Sequence, residues 1–183
     1  MVVALGAVLL VGRDHHAIDN GSPGHTITLP AASSGYMRTT GNVADRLTRQ
    51  VIDGMSAAAP SYRDSYAKAK VGIYSHPPGT GAALVFVGMT AADDPTLAIE
   101  LNTRTASTEA DSAFIGAGVT DTVDVDAGPL GGVLRCSKRP AADGQTVCVW
   151  VDRSSIGLLL IRAGPGHGEP GPTAQQFRRD AEL

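Results

Sequence analysis

The chain has 183 residues, 43% of them apolar and 18% charged, which supports one packed domain with tails and excludes wholesale disorder. A net charge of −3 supplies no basic field for a phosphate backbone, and eight aromatic residues are too few for single-strand stacking platforms. The composition describes a small soluble domain with no nucleic-acid partner.

The first segment, residues 1–12 (MVVALGAVLLVG), is uncharged and apolar. A bilayer-crossing helix needs about 20 such residues, so the run is too short to span alone. No Lys or Arg precedes it, and neither an A-x-A cleavage site nor a lipobox cysteine follows. It reads as the C-terminal part of a membrane anchor. The alternative is a buried first strand or helix of a cytosolic domain. Residues 13–24 are polar and turn-rich, as expected of a spacer between a membrane and a folded unit.

A globular unit is expected over residues 25–162. HTITLP at 25–30 alternates and reads as a first strand, and 31–41 reads as turns. Val43, Leu47, Val51 and Met55 recur every four residues, which predicts an amphipathic helix capped by Asn42 and closed before Pro60. Residues 62–68 are ambiguous. Strands are expected at 71–74 and 83–87, separated by a loop at 76–81 in which two prolines remove ladder donors. The region opened by Asp94-Pro95 has no clear period. A short helix is expected at 107–116, capped by Ser107 with Ala110, Phe114 and Ile115 inward, followed by strands at 122–125, 133–136, 146–151 and 156–161. Residues 163–172 hold four Gly and three Pro and read as a linker. A terminal helix is expected at 173–183, opened by a Thr173/Gln176 capping box, with Phe177, Ala181 and Leu183 on one side. Hairpin-length connections point to an α+β fold, a mostly antiparallel sheet packed by one long amphipathic helix and shorter ones.

Motifs for chemistry are sparse. Asp14-His15-His16 resembles one phosphoesterase signature, but the further Asp-rich motifs that such a site needs do not follow. His25, His76 and His167 lack any zinc spacing and read as exposed loop or strand-end histidines. Asp121, Asp124 and Asp126 alternate as a strand with outward carboxylates would, without the central Gly and distal Glu of a calcium loop. Gly128-Pro-Leu-Gly-Gly132 lacks the lysine of a phosphate loop and reads as a tight turn. Asp111 with Ser112, or Asp152 with Ser154 and Ser155, could join a loop histidine in a triad, but such pairs abound in turns. No catalytic, cofactor or metal residue is therefore expected.

Cys136 and Cys148 lie in two apolar runs, and Pro140 and Asp143-Gly144 between them supply hairpin-turn chemistry. An antiparallel pair joined near residue 142 sets the cysteines opposite each other, with Leu134 facing Trp150 and Val133 facing Val151. In an oxidising compartment a disulfide is expected; in a cytosolic core the two would stay reduced.

The segments GPLGGVLRC at 128–136 and VCVWVDRSS at 147–155, with HTITLP, Gly35-Tyr36 and AKVGIY at 69–74, resemble a family of uncharacterised actinobacterial membrane-anchored proteins. That resemblance implies one transmembrane helix and an extracytoplasmic domain, and brings no activity with it. The expected function is a non-catalytic domain tethered at the membrane by the N-terminal segment, outside the cytoplasm, binding a protein partner, lipid or cell-wall component. Two alternatives stand beside it: a small secreted or anchored hydrolase with dispersed active residues, and a cytosolic accessory protein.

Overall fold

The computed structural model describes residues 24–76, 82–138, 144–162 and 169–183. The apolar run at 1–12, most of the spacer with Asp14, His15 and His16, and His167 lie outside the described residues. Within them, no helix is long and apolar enough to cross a membrane.

The described strands are β1 (Ala32–Ser33), β2 (Tyr36–Arg38), β3 (Lys70–Ser75), β4 (Ala82–Thr90), β5 (Thr122–Val125), β6 (Val133–Ser137), β7 (Gln145–Val151) and β8 (Ser155–Arg162). They form one antiparallel sheet in the order β1-β2-β3-β4-β8-β7-β6-β5. The helices are α1 (Asn42–Ala58), α2 (Arg63–Tyr66), α3 (Pro95–Thr103), α4 (Ala106–Gly116) and α5 (Pro170–Ala181). This is an α+β fold.

Each face of the sheet has its own cover. Leu84, Phe86, Leu134, Cys136, Cys148, Trp150, Leu159 and Ile161 face α5, where Phe177 and Ala181 meet them. On the opposite face α1 packs on Val71, Ile73 and Val87, while α4 packs on Val147, Val149 and Val151. Every residue of β7 is buried, because the strand lies between α4 and α5. A strand covered on both faces reads as a continuous apolar run rather than an alternation.

An aromatic stack organises the α5 face. Trp150 on β7 and Phe86 on β4 are not on adjacent strands, yet their rings stack with centroids 5.4 Å apart and planes 12° apart. They meet across β8, where Gly157 pairs with both Trp150 and Gly88. A methyl group on Gly157 would overlap the indole, so its missing side chain is what lets the ring lie over the strand. Phe177 packs on Phe86 at 5.0 Å and edge-on to Tyr74 at 5.1 Å. The Tyr74 hydroxyl donates to the Pro30 carbonyl at 3.1 Å, and burial pushes its pKa up to about 12.

The register between β6 and β7 pairs Cys136 with Cys148, Leu134 with Trp150 and Val133 with Val151, and a disulfide joins the two cysteines.

Several local expectations are corrected. Residues 25–30 form only a single bridge, Ile27 to Glu182, and the sheet starts instead with the small β1–β2 hairpin in the stretch read as turns. Gly41, at φ 85°, precedes α1 in place of an Asn42 cap, and Val43 is 54% exposed while Ala44 is buried. Residues 63–66 make the helical turn α2. The unassigned stretch after Asp94 is α3: the Asp94 side chain accepts from the Thr96 amide, and Pro95 takes the first helical position. Helix α4 is capped by Thr105 rather than Ser107, and Ile115 is 67% exposed. Helix α5 begins at Pro170, inside the expected linker, so Thr173 is a buried interior residue and no capping box forms; Leu183 is 73% exposed.

Candidate functional site

Two places in the fold gather polar side chains. The first lies under the C-terminal end of α5. Arg178 sits on the buried face of that helix and is 1% exposed. Its Nε donates to Glu182 Oε2 and its Nη2 to Asp152 Oδ2, each at 2.8 Å, while Nη1 donates to the Gly131 carbonyl at 2.8 Å. The turn read from GPLGG thus has a further use: its carbonyl oxygen faces a buried cation. Glu182 also accepts from Trp150 Nε1 at 2.7 Å and from the Ser155 hydroxyl. Asp152, in the β7–β8 turn, accepts from the Ser154 and Ser155 amides at 2.7 and 2.9 Å. Burial alone would raise the Asp152 carboxyl. The hydrogen bonds from Ser154 and His25 and the charge of Arg178 outweigh it and hold the group below its ordinary range.

His25 joins this cluster, with Nδ1 at 3.1 Å from Asp152 Oδ2 and 3.8 Å from Glu182 Oε2. It lies in an irregular segment beside the Ile27 bridge, as expected of a loop or strand-end histidine, but is half-buried rather than exposed. Thr26 and Thr28 donate their amides to Leu183 and Ala181 at 3.0 and 2.7 Å, so the segment leading to β1 and the end of α5 are laced together around the ions.

Two chemistries are conceivable at this cluster and the geometry disfavours both. His25, Asp152 and Glu182 offer ligand atoms within 4.8 Å of one another, a spacing that suits a metal. Arg178, however, already donates to both carboxylates, and a divalent ion there would press against a cation held by three acceptors. The donor set fits a guanidinium. Asp152, Ser154, Ser155 and His25 also bring together the components of the triad considered above. The Ser154 hydroxyl donates to Asp152 at 2.9 Å, the Ser155 hydroxyl shares its one proton between Asp152, at 3.1 Å, and Glu182, and Ser154 Oγ accepts from the His25 backbone amide at 3.0 Å. An activated nucleophile needs the imidazole between hydroxyl and carboxylate. Here the carboxylate holds all three, and Ser155 is fully buried.

The second place is a cleft on the opposite face. Helix α1 seats on β3 and α4 on β7, so the middle strands β4 and β8 lie beneath the gap between them. The cleft has two lobes that share Tyr66, Met89, Ala113 and Ile156. The inner lobe, about 100 Å³, is lined by apolar groups such as Met55, Val87 and Leu158. The outer lobe, about 70 Å³, is lined by Tyr62, Ser65, Asp94, Glu100, Glu109 and Ser112 among others. Tyr62 donates to Glu100 at 2.8 Å, and burial with the nearby Glu100 pushes the phenol's pKa up. Lys68 pairs with Asp94 at 3.2 Å and Arg104 with Glu109 at 2.5 Å. Burial raises Glu100 above the usual carboxylate range.

The other expected candidates are dispersed. Asp124 and Asp111 pair with Arg135 at 2.6 and 2.7 Å, Asp121 pairs with Lys138 at 2.9 Å, and Asp126 accepts from the Gly128 amide. These are surface ion pairs and a turn, in keeping with outward carboxylates along β5. His76 lies on the far side of the sheet near Gly35, and Ser112 reaches the cleft without a histidine. The cleft residues and Arg178 carry no local signature. Asp94-Pro95 stood out only as the opening of a stretch with no clear period.

Compared with protein-family models, curated proteins and solved structures, the chain finds no match.

Proposed function

We propose that this chain is a non-catalytic binding domain, tethered at the membrane by its N-terminal segment and facing away from the cytoplasm, with the cleft over β4 and β8 as its ligand site. One observation carries the binding reading: an apolar lobe continues into a second, mostly apolar one whose wall adds the carboxylates Asp94, Glu100 and Glu109, the form in which small amphiphiles are held. The cluster at Arg178 serves the fold, since its charges are consumed by one another. The tether and its orientation are supported by the apolar run at 1–12, the polar spacer, and the resemblance to actinobacterial membrane-anchored proteins.

A thermal-shift screen with short-chain alcohols, amines and carboxylates tests the cleft. At least one class should raise the melting midpoint of the wild type by several degrees and leave Ala113→Phe, which fills both lobes, unmoved. If none moves the wild type while Ala113→Phe folds normally, the binding reading fails.

Placement outside the cytoplasm has its own test. Protease added to intact spheroplasts should degrade the domain, and alkylation without reductant should leave Cys136 and Cys148 unmodified in protein from that compartment. The short loop closed by this bond contributes about 2–3 kcal/mol. A protected protein with two alkylated cysteines would place the domain in the cytosol.

A further inference from the structure

Charge and hydrogen bonding in the outer lobe narrow the ligand. Three carboxylates, Asp94, Glu100 and Glu109, stand in its wall, and no basic side chain does. Lys68 and Arg104 reach in from outside the wall to pair with Asp94 and Glu109. Glu100 accepts from the Tyr62 phenol and shares the charge of Arg104 with Glu109, so three carboxylates face two cations and one negative charge is in excess. Asp94 adds a second, independent sign. It is 2% exposed; Oδ1 takes both Lys68 and the Thr96 amide, and Oδ2 is a buried acceptor without a well-formed hydrogen bond, the Ser65 hydroxyl lending the carboxylate its remaining support. A buried acceptor left unpaired costs about as much as a lost hydrogen bond, which a donor from a ligand restores. Tyr66 borders both lobes, and Tyr62 packs beside it with ring centroids 6.2 Å apart. Carboxylates beside aromatic rings are the chemistry that selects organic cations.

We infer that the cleft takes a small primary amine, its ammonium donating to Asp94 and Glu100 and its apolar tail lying against Met55, Val87 and Leu158. The inference rests on the cleft being a ligand site. A dry cavity of about 150 Å³ admits benzene. An inner lobe of about 100 Å³ is smaller and suits a short alkyl chain rather than a ring or a lipid tail.

The test uses the protein labelled with ¹³C at its methionine methyls and titrated with hexylamine, hexanol and hexanoate, which share a tail and differ in the head. Met55 and Met89 line the cleft, whereas Met37, exposed on β2, is an internal control. Hexylamine should shift the Met55 and Met89 methyls, leave Met37 in place, and bind at least about tenfold tighter than either analogue. Glu100→Gln, which keeps an acceptor for Tyr62, should bring the amine to within a few-fold of the alcohol. Asp94→Asn should do the same. Because Asp94 also caps α3, Glu100→Gln decides the matter if Asp94→Asn does not fold. Hexanol or hexanoate binding as tightly as the amine would overturn the inference and leave the cleft a ligand site. Silence of Met55 and Met89 with all three would overturn both.

Discussion

Arg178→Met should unfold in urea at a much lower concentration than the wild type, with a loss of about 3–5 kcal/mol at neutral pH. Removing one member of a buried ionic network leaves the others charged, desolvated and unpaired, which is where the large costs of such changes arise. Here the orphans are Asp152 and Glu182, both buried, and the Gly131 carbonyl. Against a typical stability of about 5–15 kcal/mol, that loss is a large fraction of the whole. The same cluster makes the wild type acid-labile. The Asp152 carboxyl is held below its ordinary range in the folded state, so its contribution is fully present above about pH 4, the unfolded value. It is lost as pH falls through the folded value. Urea midpoints at neutral and acid pH should therefore converge more in Arg178→Met than in the wild type. Equal midpoints for the two proteins at neutral pH would show that the cluster does not stabilise the fold.

Trp150→Ala should cost about as much, 3–5 kcal/mol, by a different route. It removes the largest fully buried side chain, ends the stack on Phe86, and withdraws the indole donor from Glu182. The pairing with Gly157 makes a sharper test. Gly157→Ala should destabilise the wild type by about 1–3 kcal/mol, because its methyl overlaps the indole. In a Trp150→Leu background the same change should cost less, since the overlap is gone. Costs that simply add would mean that the indole and Gly157 are energetically independent.

Where one element buries a continuous stripe or run, its sequence announced it. The four-residue recurrence of α1, the apolar runs of β6, β7 and β8, and the cysteine register were all legible because each pattern repeats within one segment. Helix α3 was not, since it buries only Leu97 and Leu101 and turns Ile99 outward, too little to set a period. The β1–β2 hairpin has two and three residues, shorter than any alternation. Cap positions were misread where two candidates lay close together, as with Thr105 and Ser107. The cleft was invisible for a more basic reason. Its walls come from α1, α2, α3, α4 and the middle strands, so even the short window that holds two of its carboxylates, Asp94 and Glu100, contains neither the tyrosines nor the apolar lobe that complete it. Arg178 and Glu182 drew no reading because nothing local reveals that the partners of Arg178 include Asp152 and a turn carbonyl far upstream.

The strand order has a kinetic consequence. Neighbours β4 and β8 join at the middle of the sheet, pairing Leu84 with Ile161 and Thr90 with Ser155, with α3, α4 and three strands between them in sequence. The rest of the ladder joins consecutive strands, so two units, β1 to β4 and β5 to β8, can each assemble by themselves, the first by a pairing of β2 with β3 across α1 and α2. Their union is the longest-range step, and closing so long a loop slows folding. The Cys136–Cys148 bond lies wholly inside the second unit. Oxidation can therefore lock that half before the halves meet, and the slowest event of folding is the search of one finished unit for the edge of the other.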